Sequence, residues 1–213
     1  MAVRADLNIS LDGVATPTDP TPEMPMGADW GLLTSAYAAT RTFRERVLGD
    51  TSGAGTTGLD DTYAAAYFEG VGAEIMGAGM FGLHSFPDDP SWTGWWGDEP
   101  PFRVPVLVLT HIPRPGVTFA NGTTFEFAAV TPAEALERAR ATAGARDVRI
   151  GGGTGLVRDF LRAGLVDHLH VSIAPIVLGR GARLWDDLRM SESDFTVTSE
   201  TAESGTIHVT FER

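Results

Sequence analysis

The sequence predicts an α/β protein built on a central, mostly parallel mixed sheet, with helices on both faces and an antiparallel hairpin at the C-terminal end. Three observations predict it. Short apolar runs of strand length recur along the chain, each bounded by Gly, Pro, Asp or Ser. Segments with apolar residues at helical spacing stand between them, the pattern of strands joined by crossover helices. The last two runs alternate apolar and polar residues, as half-buried antiparallel strands do. With 213 residues, 43% of them hydrophobic, a single domain over 1–213 buries a full core without staples.

The elements follow in order. Alternation over Val3–Ile9 predicts the first strand, ended by Ser10-Leu11-Asp12-Gly13, and residues 15–28, rich in Thr, Pro, Asp and Met, predict a long loop. Trp30 to Val47 has helical spacing, and 49–59 is a Gly/Thr loop. Asp60 or Asp61 is placed to cap a helix through Phe68. Gly72–Gly77 is a short buried strand, Val104–Thr110 the clearest strand, and Thr124–Val130 another. Thr131-Pro132-Ala133-Glu134 joins a capping Thr, a first-turn Pro and a capping-box Glu, and starts a helix that runs to Ala143. Asp147–Ile150 is a strand entering five glycine-rich residues, followed by a helix over Leu156–Ala163. His168–Ala174 is a strand, and Phe195–Thr201 with Thr206–Arg213 form the closing hairpin.

Composition excludes several chemistries. All 16 basic residues are Arg, so Schiff-base lysines and the P-loop Lys are out. Cysteine is absent, which removes disulfide scaffolds, thiol nucleophiles and cysteine metal sites. A net charge of −12 argues against nucleic acid as a partner. No apolar h-region or membrane-length apolar run is present, so a cytoplasmic protein without membrane contact is expected.

Ligand sites in such sheets lie beyond the carboxyl ends of the strands, and glycine motifs stand there. Gly77-Ala78-Gly79-Met80-Phe81-Gly82 follows a strand, but His84 to Pro90 cannot form the long helix a dinucleotide fingerprint requires. What stays is backbone able to approach a phosphate. Gly151-Gly152-Gly153-Thr154-Gly155 places four glycines in five residues between a strand and a helix start, more than a tight turn needs, and reads as backbone pressed against a pyrophosphate. Asp60-Asp61 supplies either an N-cap or a carboxyl that orients a ligand's ring nitrogens and relays a proton. His168 and His170 share a strand face without a third ligand, so no metal is expected and they read as histidines at a sheet surface. Trp92, Trp95 and Trp96 mark a lid, a dimer contact or a loop packed on its own domain.

Taken together, Ser10-Leu11-Asp12-Gly13, Ile75-Met76-Gly77, Leu109-Thr110-His111 and Ile150-Gly151-Gly152-Gly153, in this order, resemble the dihydrofolate-reductase superfamily. Ala163-Gly164-Leu165-Val166-Asp167 and the run from Ala174-Pro175 to Gly179-Arg180-Gly181 are similar to stand-alone relatives of the reductase domain of riboflavin-biosynthesis deaminase–reductases. The resemblance covers essentially the whole chain. It implies a three-layer dihydrofolate-reductase-like fold, a homodimer, and NADPH lying across the strand ends. It places Asn8 and Ala15 at the nicotinamide carboxamide, and Thr110 and His111 at the adenosine. Gly77, Ala78, Gly79, Met80 and Phe81 on one side, and Gly151, Gly152, Gly153, Thr154, Gly155 and Leu156 on the other, fall to the pyrophosphate. Asp61 takes the place of a substrate-binding carboxylate and Ser172 that of a hydroxyl near substrate. The family's arginines are replaced by Ala78 and Thr154, which leaves Arg114, His111 and Arg103 for a 2′-phosphate. A cis bond is implied at Gly151-Gly152. The implied activity is hydride transfer to a C=N or C=O bond of a small heterocyclic or ribityl-like substrate; the alternative is a non-catalytic, dimeric nucleotide-binding or scaffold protein of the same fold.

Overall fold

The computed structural model describes residues 1–213 except 17–20, 22, 23, 25, 85, 87, 88, 113 and 191–193, so much of the expected 15–28 loop lies outside the described residues. The chain groups into two compact units, Met1–Ala5 with Gly70–Asp167, and Asp6–Glu69 with His168–Arg213.

The first unit is built on parallel strands. β1 (Val3–Ser10) enters it with its first residues and pairs with β7 (Asp147–Gly152), Val3 opposite Val148. Next come β3 (Val71–Gly77), β4 (Pro105–Leu109) and β6 (Thr124–Ala128), all parallel, with the two-residue β5 (Val117–Thr118) antiparallel at the edge. Register brings the carboxyl ends level: Gly77 lies opposite Leu109, and Leu109 opposite Ala128. Val71 through Met76 are all buried, as a strand covered on both faces must be. Helix α6 (Pro132–Ala143) starts with the full expected capping box and packs its Ala135, Leu136 and Ala139 face on β3, β7 and β4. Helix α7 (Thr154–Arg162) follows β7 and packs on β7 and β3. Met76, Phe81, Leu83, Phe102, Val106, Val108 and Phe125 form a core, with Trp92 and Trp96 packed against it.

The second unit holds β8 (His168–Ala174), β11 (Ile207–Glu212) and β10 (Thr196–Thr201), an antiparallel series ending in the expected hairpin, with the rest of β1 beyond β8. Two short strands, β2 (Val14–Thr16) and β9 (Ala182–Arg183), pair apart from it. Ala15 therefore lies in a strand where the sequence predicts loop. The expected Trp30–Val47 helix is three pieces, α1 (Trp30–Leu33), α2 (Ser35–Ala39) and α3 (Arg41–Arg46). The chain breaks at Thr34 and at Thr40, and at the second break the extended backbone of Thr40 lets its hydroxyl accept from the Phe43 N–H at 3.1 Å and cap α3. Helix α4 (Leu59–Ala66) packs on α3 and α2. Its N-cap is Gly58, so neither Asp60 nor Asp61 is the cap; both stand in the first turn.

Candidate functional site

The glycine turn after β7 meets the end of β3. Met76 lies opposite Gly152, and a Cβ at Gly77 would stand 3.6 Å from the Gly153 nitrogen and 3.8 Å from the Leu156 Cβ. Gly77, Gly152, Gly153 and Leu156 thus come together at the N-terminus of α7, whose N-cap Gly153 has no side chain with which to cap the helix. The cis peptide bond is Gly152-Gly153, one residue beyond the expected Gly151-Gly152.

The four glycines have different causes. A side chain at Gly151 would collide with Glu74, which the neighbouring strand holds in a buried ion pair with Arg149. Gly152 has φ +116°, a conformation costly for other residues. Around Gly153 and Gly155, in contrast, no described residue outside the adjoining backbone comes within 4 Å of where a Cβ would stand, so no contact with such a residue accounts for glycine there. Thr154 between them is buried.

The Gly77–Gly82 stretch is shaped by its own unit. It forms α5 (Ala78–Phe81), a single turn. A Cβ at Gly79 would lie 3.0 Å from the His84 ring, and Gly82, at φ +97°, faces Trp95 and Trp92. The indole N–H of Trp92 donates to the Phe81 carbonyl at 2.8 Å and that of Trp95 to the Met80 carbonyl at 3.0 Å. The tryptophan loop is therefore packed on its own unit. Phe81 is fully buried and its carbonyl is taken by Trp92, so it presents no surface to a ligand where the sequence expects a phosphate contact. Thr110 follows β4 level with Gly77; its hydroxyl accepts from the Ile112 N–H at 3.0 Å, and His111 beside it is exposed.

Two arginines named for a 2′-phosphate are placed otherwise. Arg114 donates through Nη2 to the carbonyls of Asp89, Pro90 and Trp92, and its guanidinium lies over the Phe81 and Phe127 rings. It buttresses the tryptophan loop. Arg103 precedes β4 and so stands a strand's length from Thr110, at the wrong end.

The second unit holds the remaining named residues. Asn8 is half-buried on β1, and Ala15 lies on β2. Between them Asp12 is a latch: its carboxylate accepts from the Ser10 hydroxyl (2.6 Å) and the N–H groups of Leu178 (3.0 Å) and Gly179 (2.9 Å), and it faces Arg183 at 3.4 Å. These bonds, the Ser10 hydroxyl foremost, hold the Asp12 carboxyl far below the usual carboxylate range. The two sequence motifs Ser10–Gly13 and Ala174–Gly181 are thus two sides of one joint. Asp61 accepts from the Thr42 N–H at 2.8 Å and fastens α4 to α3. Ser172 is half-buried on β8, opposite His208.

Sequence reasoning missed Glu74, the single charge of β3, and Arg149, the single buried charge of β7, and missed that His170 is buried rather than set at a sheet surface. No group of three or more His, Asp or Glu residues fit to hold a metal occurs among the described residues.

Comparison with known proteins decides the family. The model of the RibD C-terminal domain matches residues 1–209. The chain belongs to the RibD C-terminal domain family. The riboflavin biosynthesis protein RibD of Corynebacterium ammoniagenes is 38% identical over 125 residues, 56% of this chain and 35% of that protein. YyaP, an uncharacterized protein of Bacillus subtilis (strain 168), is 33% identical over 66 residues, 31% of this chain and 35% of that protein. The matched region thus spans about a third of each curated relative. Among solved structures, a putative riboflavin biosynthesis protein from Shewanella sp. PV-4 superposes with a TM-score of 0.63 at 21% identity, covering 100% of this chain and 99% of that one. A diaminohydroxyphosphoribosylaminopyrimidine deaminase/5-amino-6-(5-phosphoribosylamino)uracil reductase from Thermotoga maritima gives 0.53 at 14% identity, covering 99% and 56%. The family match and these likenesses show the RibD C-terminal domain fold, the riboflavin-biosynthesis relative that the motifs imply.

Proposed function

We propose that this member of the RibD C-terminal domain family is a reductase of a small heterocyclic or ribityl-like compound, using NADPH. The observation that carries it is the open space at Gly153 and Gly155, two glycines that no described neighbour outside the adjoining backbone requires, at the start of α7 and beside Gly77. Backbone N–H groups at a helix start and no side chains in the way are what a pyrophosphate needs. The residues of the first unit fit that group's phosphate and adenosine parts: Gly77, Gly153, Gly155 and Leu156 would hold the pyrophosphate, and Thr110 and His111 would border the adenosine. NADPH supplies a hydride when bound. Reduction of a C=N or C=O bond also takes up a proton, and Asp61, with one carboxylate oxygen accepting from Thr42, would supply or relay it while Ser172 orients the substrate. With Arg114 engaged elsewhere and Ala78 and Thr154 in place of arginines, His111 is the residue left to favour a 2′-phosphate. Family resemblance adds a cytoplasmic homodimer as the setting.

Thermal unfolding with added nucleotide tests this. At 100 times its Kd a ligand adds about 2.7 kcal/mol, which for a chain of this size raises Tm by roughly 5–10 °C. NADPH is expected to give the larger shift and NADH a smaller one. Equal shifts would remove the NADPH preference. No shift with either would overturn the reductase and favour a scaffold of the same fold.

A further inference from the structure

In the second unit two buried histidines and two half-buried aspartates, from four elements, form one chain. Asp6 on β1 lies 3.3 Å from the Nδ1 of His170 on β8. His170 Nε2 is 2.9 Å from the Nδ1 of His208 on β11, and His208 Nε2 is 2.9 Å from the Asp60 carboxylate on α4. The two imidazole side chains are 8% and 3% exposed, so water does not complete their bonding. Tyr63, one turn along α4 from Asp60, lies flat on both rings, with centroids at 4.3 and 4.2 Å and planes within 7°. Its hydroxyl donates to Glu200 on β10 at 2.9 Å. The other charged groups on these elements are Arg4, which faces Asp147 at 3.7 Å, Asp61, which accepts from Thr42, and His168, paired with Glu212 at 3.3 Å; Glu203, between β10 and β11, lies against Gly58 at the N-cap of α4.

Proton counting gives this chain a definite behaviour. Three contacts need three hydrogens, one in each, and two neutral imidazoles carry only two. Complete bonding therefore takes one proton more, shared along the row, with a carboxylate at each end to balance it and the face of Tyr63 over it. A second extra proton leaves no lone pair in the imidazole–imidazole contact: two N–H groups point at each other at 2.9 Å. That contact cannot survive. We propose that His170 and His208 form a proton-counting dock for α4, in which one shared proton holds the helix through Asp60 and Tyr63 and a second proton releases it. Burial, and a charge on His170, push His208 below the usual imidazole range while Asp60 pulls the other way, so the second proton enters only in acid.

The docked helix is the one that carries Asp61. Where the proposed function holds, the histidine pair is thus a positioning device for it; the test below uses no nucleotide and does not depend on that reading. The full chain, labelled with 15N in its histidines, is titrated by NMR from about pH 8 to about pH 4.5, the range in which imidazoles change charge. Two coupled steps are expected. In the first, one imidazolium equivalent is divided over both rings; in the second, the ring-current shift from Tyr63 on both imidazoles disappears. In Asp60→Asn the amide N–H donates to His208 Nε2 with both rings neutral, so the first step moves down by about one pH unit or more. Should that variant fail to fold, Tyr63→Leu serves, with the first step again expected at lower pH. Two rings that titrate independently in the wild type, or a first step that neither variant moves, would overturn the dock.

Discussion

The four glycines at the end of β7 and the start of α7 do not share one cause, and that difference separates structural from ligand-facing positions. Gly151 leaves room for Glu74, so Gly151→Ala pushes a side chain against a buried ion pair and is expected to cost about 1–3 kcal/mol or more, measured by denaturant unfolding. In sequence the four glycines look alike, because what distinguishes them is the strand beside them. Asp61 is the second residue whose two roles separate. Asp61→Asn keeps an oxygen to accept from the Thr42 N–H, so stability is expected to change by no more than about 1 kcal/mol. If Asp61 handles the reaction's proton, turnover falls by about 10²-fold or more with nucleotide affinity retained. Steady-state kinetics with a reducible substrate checks it, and unchanged kcat would leave Asp61 only its bond to α3.

Elements announced by local chemistry were legible in the sequence, and those made by distant partners were not. Helix α6 starts at Thr131 as expected because its cap, its Pro and its Glu are adjacent. β5 and β9 are two residues long and exist only through pairing with β6 and β2, so no periodicity announces them. The His170–His208 row was illegible for the same reason: its four groups come from four elements spread over the chain. Its consequence is a pH dependence with a definite sign. The second proton meets a folded His208 pKa below its unfolded value near 6.5, so the unfolded chain binds that proton first, and the stability of the singly protonated row is lost as pH falls from about 6.5 through the folded value. Asp12, also depressed, keeps its contribution above the unfolded carboxyl value near 4 and loses it only in stronger acid. Melting temperature measured between pH 7 and pH 5 is therefore expected to fall in the wild type and to fall less in His208→Asn. Equal slopes would contradict the assignment.

At the scale of the whole molecule, the residues named for the nucleotide's phosphates and adenosine belong to one compact unit and those named for nicotinamide and substrate to the other. The family motifs were legible because each falls at a strand end. The cofactor preference was not, since Arg114 is engaged by a tryptophan loop whose packing no local pattern shows. A homodimer is expected in solution, and sedimentation equilibrium would show twice the 22.7 kDa chain mass. The central claim is that nucleotide lies against the bare backbone of the glycine turn, and Gly155 tests it with least ambiguity. No described residue outside the adjoining backbone opposes a Cβ there, and the residue sits in the first turn of α7. Gly155→Ala is therefore expected to stabilise the free protein by up to about 1 kcal/mol. The deciding measurement is calorimetric titration of NADPH into the wild type and into Gly155→Ala: the account predicts binding to the first and at least about tenfold weaker binding to the second, a difference of about 1.4 kcal/mol. Equal affinities, or no binding to the wild type, would contradict it.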